Sequence, residues 1–206
     1  MSKFILFDVG ANWGDGSLKA TRENPHYEAW VFEPTPTLLT YLEDHSKEFS
    51  DRYHILPYAV SDYDGISKFN IEGMGWGCSS LNEFNDNLHI TWPGRDNFKV
   101  TEVIDVKVFR LDTWFKENNI VLDKIDFFKC DTQGSDLKVL QGMGDYIHLI
   151  KEGVVECALN SNVKLYKENH TVTEMTDFLT ANGFVITKQE SNDQWSNEVN
   201  IYFTKK

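Results

Sequence analysis

A glycine-containing segment near the N-terminus is the first whose residue types could do chemistry. It runs Asp8-Val9-Gly10-Ala11-Asn12-Trp13-Gly14 and follows an apolar run that begins at Phe4. Glycine lets the backbone turn tightly and approach a ligand at the start of a following helix. Asn12 stands where a dinucleotide-binding turn carries its second glycine, and asparagine tolerates the left-handed conformation that such a turn demands. The segment predicts either a ligand-binding turn or a tight strand-to-helix turn with no further role.

Carboxylates at the ends of predicted strands indicate the kind of ligand. Glu33 closes the second predicted strand, where it could accept hydrogen bonds from both ribose hydroxyls of an adenosine. Asp8 and Asp131 would lie at the same sheet edge, where they disfavour pyrophosphate and favour a ligand carrying an ammonium and a sulfonium. No Lys or Arg flanks the turn until Lys19, and the sequence has no Gly-Lys-Ser/Thr phosphate loop. The electrostatics favour S-adenosylmethionine.

The elements that must position these residues follow a β-α-β-α-β order, which is typical of a parallel sheet covered by helices. Apolar and alternating runs predict strands at residues 4–9, 29–33, 53–60, 66–71, 100–108, 125–130, 153–157, 184–188 and 199–203. Helices are expected at residues 14–22, 36–48, 113–119, 135–141 and 171–181. Residues 72–97 are expected to form a long loop, which we interpret as a lid or substrate wall. We predict a single domain over residues 1–206, with an insert at about 62–108.

Composition excludes several classes of protein. The net charge is −12, which disfavours nonspecific binding to nucleic acid or to an anionic membrane. The three cysteines are widely spaced and predict reduced thiols rather than disulfides or a zinc site. No apolar run is long enough for a signal peptide or a membrane span. We therefore expect a soluble, cytoplasmic protein.

Several short motifs, taken in order, resemble those of the FkbM-type methyltransferases. They are Phe7-Asp-Val-Gly-Ala-Asn-Trp-Gly14, Phe32-Glu-Pro-Thr-Pro36, Ala59-Val-Ser61, Ser79-Ser-Leu81, Leu111-Asp112, Lys129-Cys-Asp-Thr-Gln-Gly134 and Val139-Leu-Gln-Gly142. The resemblance spans most of the chain. It implies a Rossmann-like, class I methyltransferase fold of the α/β class. The sheet would have seven mostly parallel strands with an antiparallel last strand, here with an inserted β-hairpin and a long loop.

The resemblance also implies methyl transfer from S-adenosylmethionine, often to a hydroxyl of a sugar or another small molecule. It places the turn from Gly10 to Gly14 around the methionine part and Glu33 at the ribose. It places Val60 and Ser61 beside the adenine, and Asp131 near the amino group or the transferred methyl. Cys130 and Gln133 depart from the family, whose members commonly have an aliphatic residue and often a glutamate there.

Methyl transfer to a hydroxyl benefits from a general base. Asp131 and Glu156 both end predicted strands and are the candidates; we prefer Asp131, while Glu156 could instead orient the substrate. Alternatively, Asp131 could simply be the N-cap residue of the next helix. Ser135 is the other candidate for that N-cap. His89 and His148 are less favoured bases.

Further residues are candidates for contact with the acceptor. Trp76, Ser79 and Trp92 could line the acceptor site, although the two tryptophans could equally form the core of a lid. No metal-binding constellation is evident in the sequence. The alternatives to an active methyltransferase are a nicotinamide-dependent oxidoreductase, a noncatalytic binding protein of the same fold and a nucleic-acid methyltransferase, the last disfavoured by the acidic charge.

Overall fold

The computed structural model describes residues 3–73, 77–95, 98–192, 194 and 197–206. The strands in this part of the chain are β1 (Phe4–Val9), β2 (Tyr27–Phe32), β3 (Tyr53–Leu56), β4 (Ala59–Val60), β5 (Gly65–Glu72), β6 (Val100–Phe109), β7 (Ile125–Cys130), β8 (Ile150–Ala158), β9 (Phe184–Ser191) and β10 (Glu198–Lys205). The α-helices are α1 (Asp15–Glu23), α2 (Pro36–Ser46), α3 (Leu88–Thr91), α4 (Leu111–Glu117), α5 (Asp136–Gly142) and α6 (Val172–Ala181), and two 3₁₀ helices lie at Lys47–Phe49 and Gly144–Leu149.

The main sheet has seven strands in the order β3-β2-β1-β7-β8-β10-β9. β1 pairs parallel with β2 and β7, β2 pairs parallel with β3, and β7 pairs parallel with β8. β10 runs antiparallel to both of its neighbours, β8 and β9. The predicted α/β fold, with a mostly parallel seven-stranded sheet and an antiparallel last strand, is confirmed. The carboxyl ends of the parallel strands therefore meet at one edge, where open α/β sheets bind ligands.

The sheet is buried on both faces. Phe7 and Val9 of β1 belong to a large hydrophobic cluster that includes Phe128, whereas Leu6 belongs to a second cluster on the other face. This division follows from the alternation of side chains along a strand. Asp8 alternates with Phe7 and Val9, so its side chain leaves the strand on the face of Leu6.

A three-stranded sheet stands beside the main one, in the order β4-β6-β5. The predicted strand over residues 53–60 is divided in the structure. β3 ends at Leu56 in the main sheet, and β4 pairs with β6 in the small sheet. Pro57 lies at the division, and proline cannot donate a backbone hydrogen bond to a continuing ladder. The break brings Val60 over the carboxyl edge of the main sheet.

The predicted long loop contains more local structure than its sequence indicated. Ser80 forms an isolated antiparallel bridge with Asn70 of β5, and α3 is a short helix within the segment. A separate hydrophobic cluster joins this segment to the chain that follows β8. Its buried members are Trp92, Leu165 and Tyr166. This cluster holds the insert against the body of the protein.

Candidate active site

A cavity lies at the carboxyl edge of the main sheet. It contains about 540 Å³ of space free of protein atoms, including its open mouth. Residues from the ends of β1, β2, β4 and β7 form its floor, and residues of the insert form the opposite wall. The lining residues are Val9, Gly10, Asn12, Phe32, Glu33, Pro34, Tyr58, Ala59, Val60, Phe69, Gly77, Ser79, Leu81, Asp131, Thr132 and Gln133.

The turn after β1 is built on left-handed backbone. Gly10 has φ 76°, Asn12 has φ 52° and Gly14 has φ 67°. A Cβ on Gly10 would lie 2.0 Å from the carbonyl oxygen of Asp131. The amides of Gly10 and Ala11 both donate to the carbonyl oxygen of Phe32, at 3.0 and 3.1 Å. The turn is therefore pressed between the ends of β2 and β7, and position 10 accepts only glycine without strain.

Glu33 is buried, with 4% of its surface exposed, and lines the cavity. Its Oε2 accepts a hydrogen bond from the Asn12 amide and its Oε1 accepts one from the Thr35 amide, both at 2.8 Å. Burial raises the pKa of Glu33, and the hydrogen bonds from Thr35 and Asn12 partly oppose that rise. A carboxylate offers about four acceptor sites. The two backbone donors fix this carboxylate and leave it acceptor capacity for a ligand.

Asn12 has an unsatisfied side-chain atom in the same wall. Its Oδ1 is buried and has no hydrogen-bond partner among the described residues. Buried polar atoms in native proteins are nearly always hydrogen-bonded, so this oxygen is an acceptor that a donor group of a ligand or a water molecule in the cavity can satisfy. An acceptor beside the Glu33 carboxylate fits a ligand that presents N–H or O–H groups and a positive charge.

Asp8 lies outside the cavity wall. Its carboxylate forms an ion pair with Lys129 of β7 at 3.0 Å, and the Lys129 Nζ also donates to the Gly10 carbonyl at 3.3 Å. The expectation that no cation flanks the turn is therefore wrong, because Lys129 is brought next to it by strand pairing. Asp8 adds no uncompensated negative charge to the cavity. Asp8 instead helps to hold the turn, because it pairs with Lys129 and Lys129 donates to the Gly10 carbonyl.

Lys129 is itself strongly affected by its surroundings. Burial alone lowers the pKa of this lysine, but attraction to Asp8 and Asp131 outweighs burial and raises the pKa above its ordinary value. The ammonium group therefore stays charged. It balances part of the negative charge that β1 and β7 bring to the edge of the sheet.

Asp131 is the exposed acid of the cavity. Its side chain is 37% exposed, and it lies 4.0 Å from the Lys129 Nζ through Oδ2. Its Oδ1 accepts a hydrogen bond from the Gln133 Nε2 at 2.7 Å. Ser135 occupies the N-cap position of α5, so Asp131 does not cap this helix. Asp131 is therefore a carboxylate that faces the cavity with one oxygen held by an amide.

Glu156 lies behind the cavity and does not line it. It is 4% exposed, and its Oε2 accepts from the Gln133 Nε2 at 3.0 Å. Its Oε1 accepts from the Asn192 side chain, which follows β9. Burial, and then repulsion from Asp131, raises the pKa of Glu156 well above its ordinary value. Glu156 reaches the cavity only through Gln133.

The other residues predicted for the cofactor lie in different places. Val60 lines the cavity, whereas Ser61 lines a neighbouring groove and its amide donates to the Phe109 carbonyl at 3.0 Å. Ala11 is part of the second hydrophobic cluster. Trp13 packs edge-on against Tyr41. Gly14 lies at the start of α1, where a Cβ would meet Leu42 at 2.6 Å. Four of the predicted cofactor residues therefore lie next to the cavity without lining it: Ala11, Trp13, Gly14 and Ser61.

The three residues predicted to contact the methyl acceptor also lie in different places. Ser79 lines the cavity, and its Oγ accepts from the Glu72 amide at 3.0 Å. Trp92 is 2% exposed and packs with Phe98 and the cluster around Tyr166. A ring buried in this way does not face the cavity, so the structure does not fit the substrate role suggested for Trp92 and shows it in a hydrophobic core of the insert instead. Trp76 lies outside the described residues.

Sequence reasoning missed most of the apolar lining. Tyr58, Phe69 and Leu81 come from the break after β3, from β5 and from the insert. No local pattern distinguishes such residues from core residues, because only the meeting of the two sheets exposes them to the cavity. The sequence marks Gln133 only as a departure from the family pattern. No sequence pattern predicts that its side chain lies between two carboxylates. His89 and His148 are exposed and do not line the cavity.

Among residues 3–73, 77–95, 98–192, 194 and 197–206, no three His, Cys, Asp or Glu side chains are arranged to hold a metal ion. None of the helices in that part of the chain has the length and apolar character needed to cross a membrane.

Known proteins resemble this chain in sequence and in fold. The family model described as the methyltransferase FkbM domain matches residues 8–186. No curated protein matches the sequence. Magnesium protoporphyrin IX methyltransferase (ChlM) from Synechocystis PCC 6803, solved with bound SAM, has a similar fold with a TM-score of 0.54 and 8% identity; the alignment covers 100% of this chain and 71% of that chain.

Two other solved structures are similar. A fibrillarin/Nop5p complex gives a TM-score of 0.55 at 10% identity, covering 100% of this chain and 73% of that chain. TrmK from M. capricolum, solved with S-adenosyl-homocysteine, gives 0.52 at 10% identity, covering 98% of this chain and 62% of that chain. At such low identity these likenesses establish the fold and nothing further. The chain also spans less than two thirds of the TrmK chain.

Proposed function

Since the chain belongs to the methyltransferase FkbM domain family, we propose that it transfers a methyl group from S-adenosylmethionine to a hydroxyl oxygen of a small molecule or carbohydrate. The observation that carries the proposal is the pairing of Glu33 with Asn12 in the wall of the edge cavity. Ribose hydroxyls can donate to the Glu33 carboxylate, and an ammonium group can donate to the unsatisfied Oδ1 of Asn12.

Similar solved structures support this choice of cofactor. ChlM holds SAM and TrmK holds S-adenosyl-homocysteine on the same fold. A pyrophosphate is a poorer ligand for this edge, because Glu33 and Asp131 both face the cavity and the only cation described beside the turn, Lys129, is already paired with Asp8. We therefore favour S-adenosylmethionine over a nicotinamide dinucleotide.

When bound, S-adenosylmethionine supplies an already activated methyl group, so the protein contributes mainly alignment and proton handling. Asp131 is placed to take the proton that an acceptor hydroxyl must release, because one oxygen of its partly exposed carboxylate is not held by Gln133. Glu33 holds its position through two backbone donors. Phe69 and Leu81 exclude water from the insert side of the cavity.

We propose a small acceptor and a cytoplasmic location. The net charge of −12 opposes the approach of nucleic acid. Ser79 and Leu81 of the insert place both polar and apolar atoms at the cavity, which suits a hydroxylated small molecule. The cysteines at positions 78, 130 and 157 are free thiols, which fits a reducing compartment.

Calorimetry with S-adenosylhomocysteine tests the cofactor site. We expect binding by the unaltered chain and at least about tenfold weaker binding by Glu33→Ala and by Asn12→Ala, since each loses a hydrogen-bonding partner of the ligand. Glu43→Ala is the matched control, because Glu43 is exposed on α2 away from the cavity. Equal affinity in all four proteins, or preferential binding of a nicotinamide dinucleotide, would refute the assignment.

A further inference from the structure

Gln133 stands between the two acids that could serve as the base. Its Nε2 donates to the Asp131 Oδ1 at 2.7 Å and to the Glu156 Oε2 at 3.0 Å. A side-chain amide has two N–H bonds, so one amide nitrogen can serve both carboxylates at once. The side chain thus joins the acid of the cavity wall to the buried acid at the end of β8.

The orientation of this amide follows from its partners at both ends. The N–H end faces the two acids, because carboxylate oxygens accept and the amide nitrogen is the only donor that the side chain has. The Tyr166 hydroxyl lies 2.8 Å from the Gln133 Oε1 and 2.9 Å from the Cys78 carbonyl oxygen, so its one proton is shared between these two acceptors. Tyr166 is fully buried in the hydrophobic cluster of the insert, and its hydroxyl therefore lies beside the oxygen end of the amide.

The backbone of Gln133 is held as well. Its φ is 55°, in the left-handed region that is uncommon for residues other than glycine and asparagine. Its carbonyl oxygen accepts from the Ser80 Oγ at 2.6 Å. A strained residue persists when its surroundings over-determine it, and such residues concentrate at functional sites. Ser80 and Tyr166 together hold Gln133 where its amide reaches both acids.

The charges around Asp131 explain why a neutral amide suits this position. The ionisable groups that interact with it are Lys129 on β7, Asp136 on α5, Glu156 on β8, Cys130 and Tyr166. Two further acids act on members of this group: Asp8 on Lys129, and Glu198 on Glu156 and Tyr166. Lys129 is the one described cation in this group, and the acids outnumber it. A glutamate at position 133 would add another negative charge and remove both N–H donors.

We propose that Gln133 is a positioning residue, whose amide orients the Asp131 carboxylate toward the cavity by bridging it to Glu156. The proposal deepens the proposed function, on which the role of Asp131 as a base rests. The bridge itself is a property of the protein without cofactor or acceptor. It can therefore be tested separately from methyl transfer.

The test is ¹³C NMR of the chain labelled at the aspartate carboxyl groups, recorded at one pH without cofactor. The Asp131 signal is identified by its loss in Asp131→Asn. Gln133→Leu removes the donor and moves the Asp131 carboxyl signal, because the hydrogen bond to its Oδ1 is lost. Gln133→Glu also moves the signal, because a glutamate carboxylate has no N–H to donate. Gln141→Glu, an exposed change on α5, leaves the signal in place.

Tyr166→Phe provides a milder variant that keeps the buried ring and removes only the hydroxyl. It removes one partner of the Gln133 Oε1 and leaves both bonds from the amide nitrogen, so the Asp131 signal moves by less than in Gln133→Leu. An Asp131 signal that stays at its wild-type position in Gln133→Leu and in Gln133→Glu would overturn the proposal. Failure of S-adenosylhomocysteine to bind would instead refute the proposed function and leave this NMR result standing.

Discussion

At the scale of single residues, the carboxylates of Glu33 and Asp131 are held in ways that suit different tasks. Both oxygens of Glu33 accept backbone hydrogen bonds, and the side chain is almost fully buried. Its position is therefore fixed, as a ligand-anchoring group requires. Asp131 is more exposed and has one oxygen unoccupied by Gln133. A group that exchanges protons needs this access.

Replacing Asp131 by asparagine tests its role as the base. Asparagine keeps the size of the side chain but cannot accept a proton at the pH of catalysis. We expect kcat to fall by about 10²-fold or more, with the fold retained. The assay follows methyl transfer from labelled S-adenosylmethionine to hydroxyl compounds that the unaltered chain methylates. Asp177→Asn, an exposed change on α6, is the control, and undiminished turnover in Asp131→Asn would show that Asp131 is not the base.

At the scale of elements, the turn between β1 and α1 depends on contacts from two neighbouring strands. The end of β2 accepts hydrogen bonds from the turn at the Phe32 carbonyl. Lys129 of β7 donates to the Gly10 carbonyl while it is paired with Asp8. The ion pair therefore stabilises a left-handed backbone that local sequence alone would hold weakly. The turn can present Asn12 to the cavity because β1, β2 and β7 are already paired.

Two glycines of this region give a matched comparison. Gly10→Ala places a Cβ 2.0 Å from the Asp131 carbonyl oxygen on left-handed backbone, so we expect a loss of about 3 kcal/mol or more in the free energy of unfolding. Gly16→Ala lies in α1 with no atom within 4 Å of the added Cβ, so we expect a gain of up to about 1 kcal/mol. Urea denaturation measures both. Equal effects would show that the turn does not need glycine.

At the scale of the whole molecule, buried acids make folding depend on pH. Asp136 is fully buried and joins the loop after β7 to β8, because it accepts from the Thr132 and Glu156 amides, each at 3.1 Å. Burial, and then repulsion from Asp131, raises the pKa of Asp136 to about 6 from 3.8. The folded chain therefore binds this proton more tightly than the unfolded chain does.

Asp136→Asn isolates this contribution. A raised pKa stabilises the fold fully at a pH below the unfolded value, and that stabilisation is lost as the pH rises through the folded value. The difference in the free energy of unfolding, wild type minus Asp136→Asn, should therefore fall by about 2 kcal/mol between about pH 4 and pH 7. Urea denaturation over this range measures the difference. A difference independent of pH would mean that Asp136 titrates at its ordinary pKa when folded.

Much of the fold could be predicted because its signals are local. The alternation of strands and helices, the glycine turn and the carboxylate at Glu33 each occupy a few adjacent residues, and their order matches the family. The break between β3 and β4 at Pro57 also has a local signal, because proline cannot donate the backbone hydrogen bond that a continuing ladder requires. One continuous strand was nevertheless predicted there. The burial of Trp92 had no such signal, because its partners Leu165 and Tyr166 lie far along the chain.

The sequence by itself determined the order of the elements, the sheet edge at which a ligand would bind and the family. These follow from hydrophobic periodicity and from the backbone conformations that glycine, asparagine and proline favour at single positions. The tertiary structure alone decided which charges meet. Strand pairing sets Lys129 against Asp8, and the turn after β7 sets Gln133 between Asp131 and Glu156. Electrostatic interactions depend on distances in space, and no pattern in the sequence encodes these directly.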